Sequence, residues 1–170
     1  MLDTHYPSRP EHVRLIPGVA DALLAVNSRD IPVIVVTHQS GIGRGLLSEA
    51  DYEAVRAQLE HELTRAGARV DAKYHCPHWN ERTGPCECRK PGLGMYQQAA
   101  AEHTIDLARS GYVGDRWRDV APALATGGIG VLVPGPATSD ADIESARTHA
   151  HVVPSLRDAV DLFLAHLTGA

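Results

Sequence analysis

Residues 31–41 read Ile31-Pro32-Val33-Ile34-Val35-Val36-Thr37-His38-Gln39-Ser40-Gly41. From Ile31 to Val36 the run is apolar and largely β-branched, which predicts a strand buried on both faces. It ends in a polar, glycine-bearing loop, Thr37 to Gly41. Upstream, Val19, Leu23, Leu24 and Val26 are spaced as a short amphipathic helix after the turn Pro17-Gly18. Downstream, Ser48 with Asp51 forms a capping-box signal. Tyr52, Val55, Leu59 and Leu63 then step at helical spacing until Gly67 stops them. Val70 to Tyr74 is expected to be a second strand, Gly94 to Ala101 a helix, and Gly111 to Asp115 a short strand ending in a carboxylate. A helix over Val120 to Ala125, a strand over Ile129 to Val133 and a final helix capped by Ser155 with Asp158 complete the pattern. The stretch Pro134 to Ser139 is a loop. Strands alternating with helices predict an α/β, Rossmann-like three-layer sandwich with a mainly parallel sheet. In such sheets ligands sit at the carboxyl ends of strands, where Thr37 and Asp115 fall.

Composition narrows the class. The 170 residues are 44% hydrophobic and 22% charged, with a net charge of −5, which suits one soluble domain with a real core. No basic stripe argues for nucleic acid, and no apolar run of about 20 residues argues for a membrane span. The first residues lack the pattern of a signal peptide, so a cytoplasmic monomer acting on a small molecule is expected.

The three cysteines, Cys76, Cys86 and Cys88, fall close together. An odd count without an export signal favours metal chemistry over a disulfide framework. Cys76-Pro77-His78 followed by Cys86-Glu87-Cys88 offers three sulfurs and one imidazole, a closed tetrahedral set for structural Zn²⁺ in a loop spanning residues 75–90. His75 is the other imidazole in reach, but its alternation with Cys76 points it the opposite way. The loop delivers Arg89 and Lys90.

Three separated pieces carry the chemistry. Thr37 offers a hydroxyl and backbone amides at a strand end, Lys90 a positive charge, and Gly114-Asp115-Arg116-Trp117-Arg118-Asp119 two carboxylates four residues apart, suited to Mg²⁺. Each is weak alone; their order is specific.

That order resembles the second, third and fourth motifs of the haloacid dehalogenase (HAD) superfamily, subfamily IIIA. The closest resemblance is to the group of heptose-bisphosphate and histidinol-phosphate phosphatases. It rests on Val35 to Gly45, Cys76 to Met95 and Val113 to Asp119, and extends from about Asp3 to about Pro134. Gln39-Ser40-Gly41, Arg44-Gly45 and Gly94-Met95 look more like the heptose branch. His38 stands where the family usually has Asn, and Arg116 where the heptose enzymes usually carry Lys. The resemblance implies a Mg²⁺-dependent phosphatase hydrolysing a heptose bisphosphate-like sugar phosphate through an aspartyl phosphate. Thr37 would bind the phosphoryl group, Lys90 would neutralise its charge, and Asp115 would ligate Mg²⁺ with Asp119 in support. His38, Gln39, Ser40, Arg89 and Arg116 would contact the substrate. The alternatives are a histidinol-phosphate phosphatase and a catalytically inactive phosphosugar-binding zinc module.

The family's first motif, an apolar strand ending in Asp-x-Asp-Gly-Thr/Val that supplies the nucleophile and general acid, has no counterpart here. Asp3, with Tyr6 after it, fits a substrate-loop position better than the nucleophile. The expectation is therefore one HAD-like domain over residues 1–170, N-terminally incomplete, its natural start about 10–20 residues earlier. Loss of that strand would leave buried backbone groups unpaired at about 1–3 kcal/mol each, a large fraction of an ordinary stability. Reading the coding frame upstream of Met1 tests the expectation.

Overall fold

The computed structural model describes residues 9–169; Asp3 and Tyr6 lie outside them. The chain divides into two compact units, one ending at Arg89 and the other beginning at Lys90.

The first unit holds helix α1 (Val19–Asn27), strand β1 (Ile34–His38), the single turn α2 (Ser40–Gly43), the long helix α3 (Glu49–Arg65), strand β2 (Ala72–Cys76) and a second single turn, α4 (Asn80–Thr83). β1 and β2 run parallel, with Ile34 opposite Ala72 and His38 opposite Cys76. Both strands lie further along the chain than their apolar runs suggest. Pro32 cannot donate to a ladder, so pairing begins after it, and it continues through Thr37 and His38 into the polar stretch. β1 is half-buried along its whole length, not buried on both faces as the run of branched residues predicts; among the described residues its strand partner is β2 alone. The α3 start is as expected. The Ser48 hydroxyl accepts from the Asp51 backbone N–H (3.1 Å), and the Asp51 carboxylate accepts from the Ser48 backbone N–H (2.8 Å). Tyr52, Val55 and Leu63 are buried from α3, and Ala22 and Val26 from α1. Leu24, grouped with them by spacing, is instead exposed.

The second unit holds α5 (Gly94–His103), β3 (Gly111–Gly114), the short helices α6 (Trp117–Val120) and α7 (Pro122–Thr126), β4 (Ile129–Leu132), α8 (Asp140–His149), β5 (His151–Val152) and α9 (Leu156–Thr168). Its three strands form one parallel sheet in the order β3-β4-β5. β4 is buried on both faces, and its alternation sorts the layers. Leu132 packs with Val120 of α6 and Ala146 of α8, whereas Ile129 and Val131 pack with Ala159, Leu162 and Phe163 of α9. Helices thus cover both sides of this sheet, the three-layer α/β arrangement expected.

Two elements differ from the sequence expectation. The segment Val120 to Ala125 is two short helices, because Pro122 lacks the N–H needed to continue α6 and starts α7 instead. Residues 140–152, with no element expected, form α8 and β5. None of the described helices is long and apolar enough to cross a membrane.

Candidate active site

β2 ends on Cys76, which is fully buried, so the metal loop starts from the sheet itself. Cys76, His78, Cys86 and Cys88 converge, with their ligand atoms all within 4.8 Å of one another. The Cys76 Sγ lies 3.6 Å from Cys86 Sγ and 3.0 Å from Cys88 Sγ; the His78 Nδ1 lies 3.7 Å from Cys76 Sγ and 3.1 Å from Cys88 Sγ. A tetrahedron with metal–sulfur bonds of about 2.3 Å has edges of about 3.8 Å; the four groups converge closely enough, and with the right soft donors, to hold a zinc ion. Burial first, and then the facing Cys88 thiol, push the Cys76 thiol up to about 12. A buried thiol that resists ionisation is what a bound cation would relieve. His75 is turned away as its alternation predicts, its Nε2 2.8 Å from the Glu49 carboxylate.

The residues expected to contact phosphate in the first unit stand at the end of β1 and in the turn after it. Thr37 is the last but one residue of the strand, and its hydroxyl accepts from the Gln39 side-chain amide at 3.2 Å. His38 places its Nε2 3.0 Å from the His78 carbonyl. Ser40 opens the α2 turn. Arg89 ends this unit, its backbone N–H and its charge both acting on Cys86. There, burial works upward, but hydrogen bonds from Cys88 and Cys76 and the Arg89 contributions hold the thiol below its ordinary value.

In the second unit Lys90 Nζ lies 2.7 Å from Asp119 Oδ1, and both side chains are only 11% exposed. Asp115, just past β3, has its carboxyl raised above the usual range, by burial first and by the Asp119 charge next. Two neighbouring carboxylates, with one lysine beside them, form an oxygen-donor set that a hard divalent cation suits. Gly114 is required here: a Cβ on it would overlap the Asp119 Cβ and lie 2.9 Å from its Cγ. The Arg116 backbone N–H donates to Asp119 Oδ2 at 3.1 Å.

Two residues that hold this turn were not anticipated. The Thr138 hydroxyl donates to the Asp115 carbonyl (2.6 Å) and accepts from the Gly135 N–H (2.8 Å). Asp142, in the first turn of α8, accepts from the Trp117 N–H at 2.8 Å. Asp142 was detectable through its capping box with Ser139; Thr138 has no local signal, since its partner lies 23 residues away.

Comparison with known proteins identifies the family. Residues 87–159 match the Hydrolase_like (HAD-hydrolase-like) family. The D-glycero-beta-D-manno-heptose-1,7-bisphosphate 7-phosphatase of Rhodopseudomonas palustris is 39% identical over 128 residues, covering 72% of this chain and 71% of that protein. The enzyme of the same name from Escherichia coli K12 is 32% identical over an alignment of 172 residues, covering 98% and 83%. The crystal structure of D,D-heptose 1,7-bisphosphate phosphatase from B. bronchiseptica, complexed with magnesium and phosphate, superposes with a TM-score of 0.80. It is 28% identical and covers 96% of this chain and 91% of that one. The chain belongs to the haloacid-dehalogenase-like hydrolase family. Within it, the likeness is to the heptose bisphosphate phosphatases.

Proposed function

We propose that this chain carries the phosphate- and metal-binding machinery of a Mg²⁺-dependent phosphatase for a heptose bisphosphate-like sugar phosphate. The observation that carries the reading is the buried Lys90–Asp119 pair at 2.7 Å, with Asp115 beside it raised by burial first and by the same carboxylate next. A lysine paired with one carboxylate out of water, beside a second, is the apparatus that phosphoryl transfer needs, where positioning and charge neutralisation supply most of the acceleration. In this reading Asp115 holds Mg²⁺ and Asp119 supports it while orienting Lys90. Mg²⁺ would offset the negative charge of the phosphoryl group. Thr37, with the backbone of His38 and with Gln39 and Ser40, takes up phosphate oxygens, and Arg89 and Arg116 contact the sugar phosphate. Zn²⁺ at Cys76, His78, Cys86 and Cys88 is structural, having no open position. The magnesium and phosphate bound by the B. bronchiseptica relative support the same pairing of ligands. In this reading the enzyme acts in the cytoplasm, as a monomer.

The aspartate that receives the phosphoryl group is the open element. The sequence holds one Asp-x-Asp, Asp140-Ala141-Asp142. It forms the first turn of α8, where Asp142 caps the helix and holds Trp117, so it is not a strand-end nucleophile. That observation favours a second reading, a phosphosugar-binding zinc module without turnover. Phosphate release from heptose 1,7-bisphosphate and from histidinol phosphate separates the readings. The 170-residue chain is expected to release none. A version given an N-terminal Asp-x-Asp strand is expected to prefer the heptose substrate at least tenfold in kcat/KM. Preference for histidinol phosphate would move the assignment to that branch, and no turnover of either would favour the binding module.

A further inference from the structure

The turn that follows β1 is fastened to the metal loop at four points. The Gln39 N–H donates to the Cys76 carbonyl at 2.8 Å, and the Gly43 N–H donates to the Pro77 carbonyl at 3.0 Å. The His38 Nε2 lies 3.0 Å from the His78 carbonyl, and the Arg44 guanidinium lies over the Trp79 ring, 5.0 Å from its centroid. The approach is too close at Gly43 for any side chain, since a Cβ there would sit 2.6 Å from the Pro77 oxygen and 2.9 Å from the Trp79 nitrogen. Residues 76–79 therefore do two things at once. Side chains of Cys76 and His78 face the metal set, while carbonyls of the same segment hold residues 38–43.

We propose that His38 is a positioning residue that couples metal occupancy of the Cys76/His78/Cys86/Cys88 centre to the affinity of the Thr37–Ser40 turn for a phosphoryl anion. This rests on the reading above that the turn takes phosphate. The His78 ring and the His78 carbonyl belong to one residue, so a metal that fixes Nδ1 also fixes the direction of the carbonyl. Because that acceptor is a carbonyl, His38 Nε2 carries the proton and donates. A ring so held orients the backbone on either side of it, including Thr37. Reach then distinguishes replacements. The Gln side-chain nitrogen stands three bonds from Cβ, as His Nε2 does, whereas the Asn nitrogen stands two. His38→Gln should preserve the link, and His38→Asn, although Asn is usual at this position in the family, should break it as His38→Ala does.

Coupling between two binding sites is reciprocal, so phosphate must tighten zinc by the factor that zinc tightens phosphate. The test uses the full zinc-loaded chain in excess Mg²⁺. Inorganic phosphate affinity is measured by calorimetry, and zinc affinity by equilibrium competition with a chromogenic chelator, with and without saturating phosphate. Phosphate is expected to tighten zinc about three- to tenfold in the unmodified chain, the range one hydrogen bond commands. The effect should vanish in His38→Ala and His38→Asn and return in His38→Gln. Phosphate affinity should fall by a similar factor in the first two and recover in the third. If phosphate binds but leaves zinc affinity unchanged, the coupling is overturned while the phosphate reading stands. If His38→Asn behaves as the unmodified chain, the role given to His38 is overturned. If phosphate does not bind the unmodified chain at all, the phosphate reading falls and the coupling with it.

Discussion

A methyl group on Gly114 would occupy the space where Asp119 folds back over the strand end, so this glycine sets where the carboxylate can sit. Gly114→Ala is expected to cost about 1–3 kcal/mol, the range for overpacking, read as a lower urea midpoint. Lys90 matters to stability as well as to chemistry. Its pair with Asp119 is largely withdrawn from water, and breaking a buried pair leaves an uncompensated charge, at about 3–5 kcal/mol. Lys90→Ala should therefore lower the melting temperature at neutral pH and lose anion binding, and added Mg²⁺ should recover part of the lost stability by standing in for the ammonium. A melting temperature that Mg²⁺ leaves untouched would count against Asp115 and Asp119 as its ligands. At this scale the sequence was informative about identity but not contact. Gly114, Asp115 and Asp119 stand in one short motif, and Cys76, His78, Cys86 and Cys88 announce themselves by spacing. The Gly114–Asp119 overlap and the His38–His78 link depend on tertiary approach, which no local pattern encodes.

α8 braces the turn that follows β3 through its first residues. The Ser139 hydroxyl accepts from the Asp142 N–H, and Asp142 accepts from the Ser139 N–H, the Ser139 hydroxyl and the Trp117 N–H. Burial pushes the Asp142 carboxyl up, but these hydrogen bonds outweigh it and hold it below its ordinary value. A carboxyl depressed in the folded state adds stability that is present above its unfolded pKa, near 4, and lost as pH falls through its folded value. Asp142→Ala should cost more than the roughly 1 kcal/mol of an ordinary cap, because the Trp117 N–H also loses its acceptor. The variant should also flatten the loss of stability below pH 4 in acid denaturation curves. Helices with caps or strong spacing, α3 and α9, were legible in the sequence. Boundaries were less so: β1 and β2 run into polar residues because strand pairing, not hydrophobicity, ends them, and Pro122 splits a segment whose apolar content looks continuous. Ser139 and Asp142 spell the α8 cap, but the mostly polar sequence of that helix offers little apolar periodicity.

For the molecule as a whole, the metal loop and the parallel strands serve different ends. Three thiols and an imidazole substitute for core in a stretch that buries little, so Cys86→Ser should lower the melting temperature and reduce the zinc content below one per chain, because metal binding to such loops is folding free energy. An unchanged melting temperature would contradict a structural ion. Fold class was legible because alternation of strand and helix, with parallel pairing, follows from buried β-branched runs separated by amphipathic ones. The family was legible because three motifs kept their order. Substrate identity was not, since it rests on a few side chains such as His38 and Arg116 whose reach no spacing reports. The central claim is that these residues form a Mg²⁺-dependent phosphosugar site. Its most direct test is calorimetric titration of D-glycero-β-D-manno-heptose 1,7-bisphosphate into the zinc-loaded chain, with and without Mg²⁺, beside Asp115→Asn. The account predicts saturable one-to-one binding that weakens at least tenfold when Mg²⁺ is omitted and likewise in the variant. Absence of binding, or binding indifferent to both changes, would contradict it.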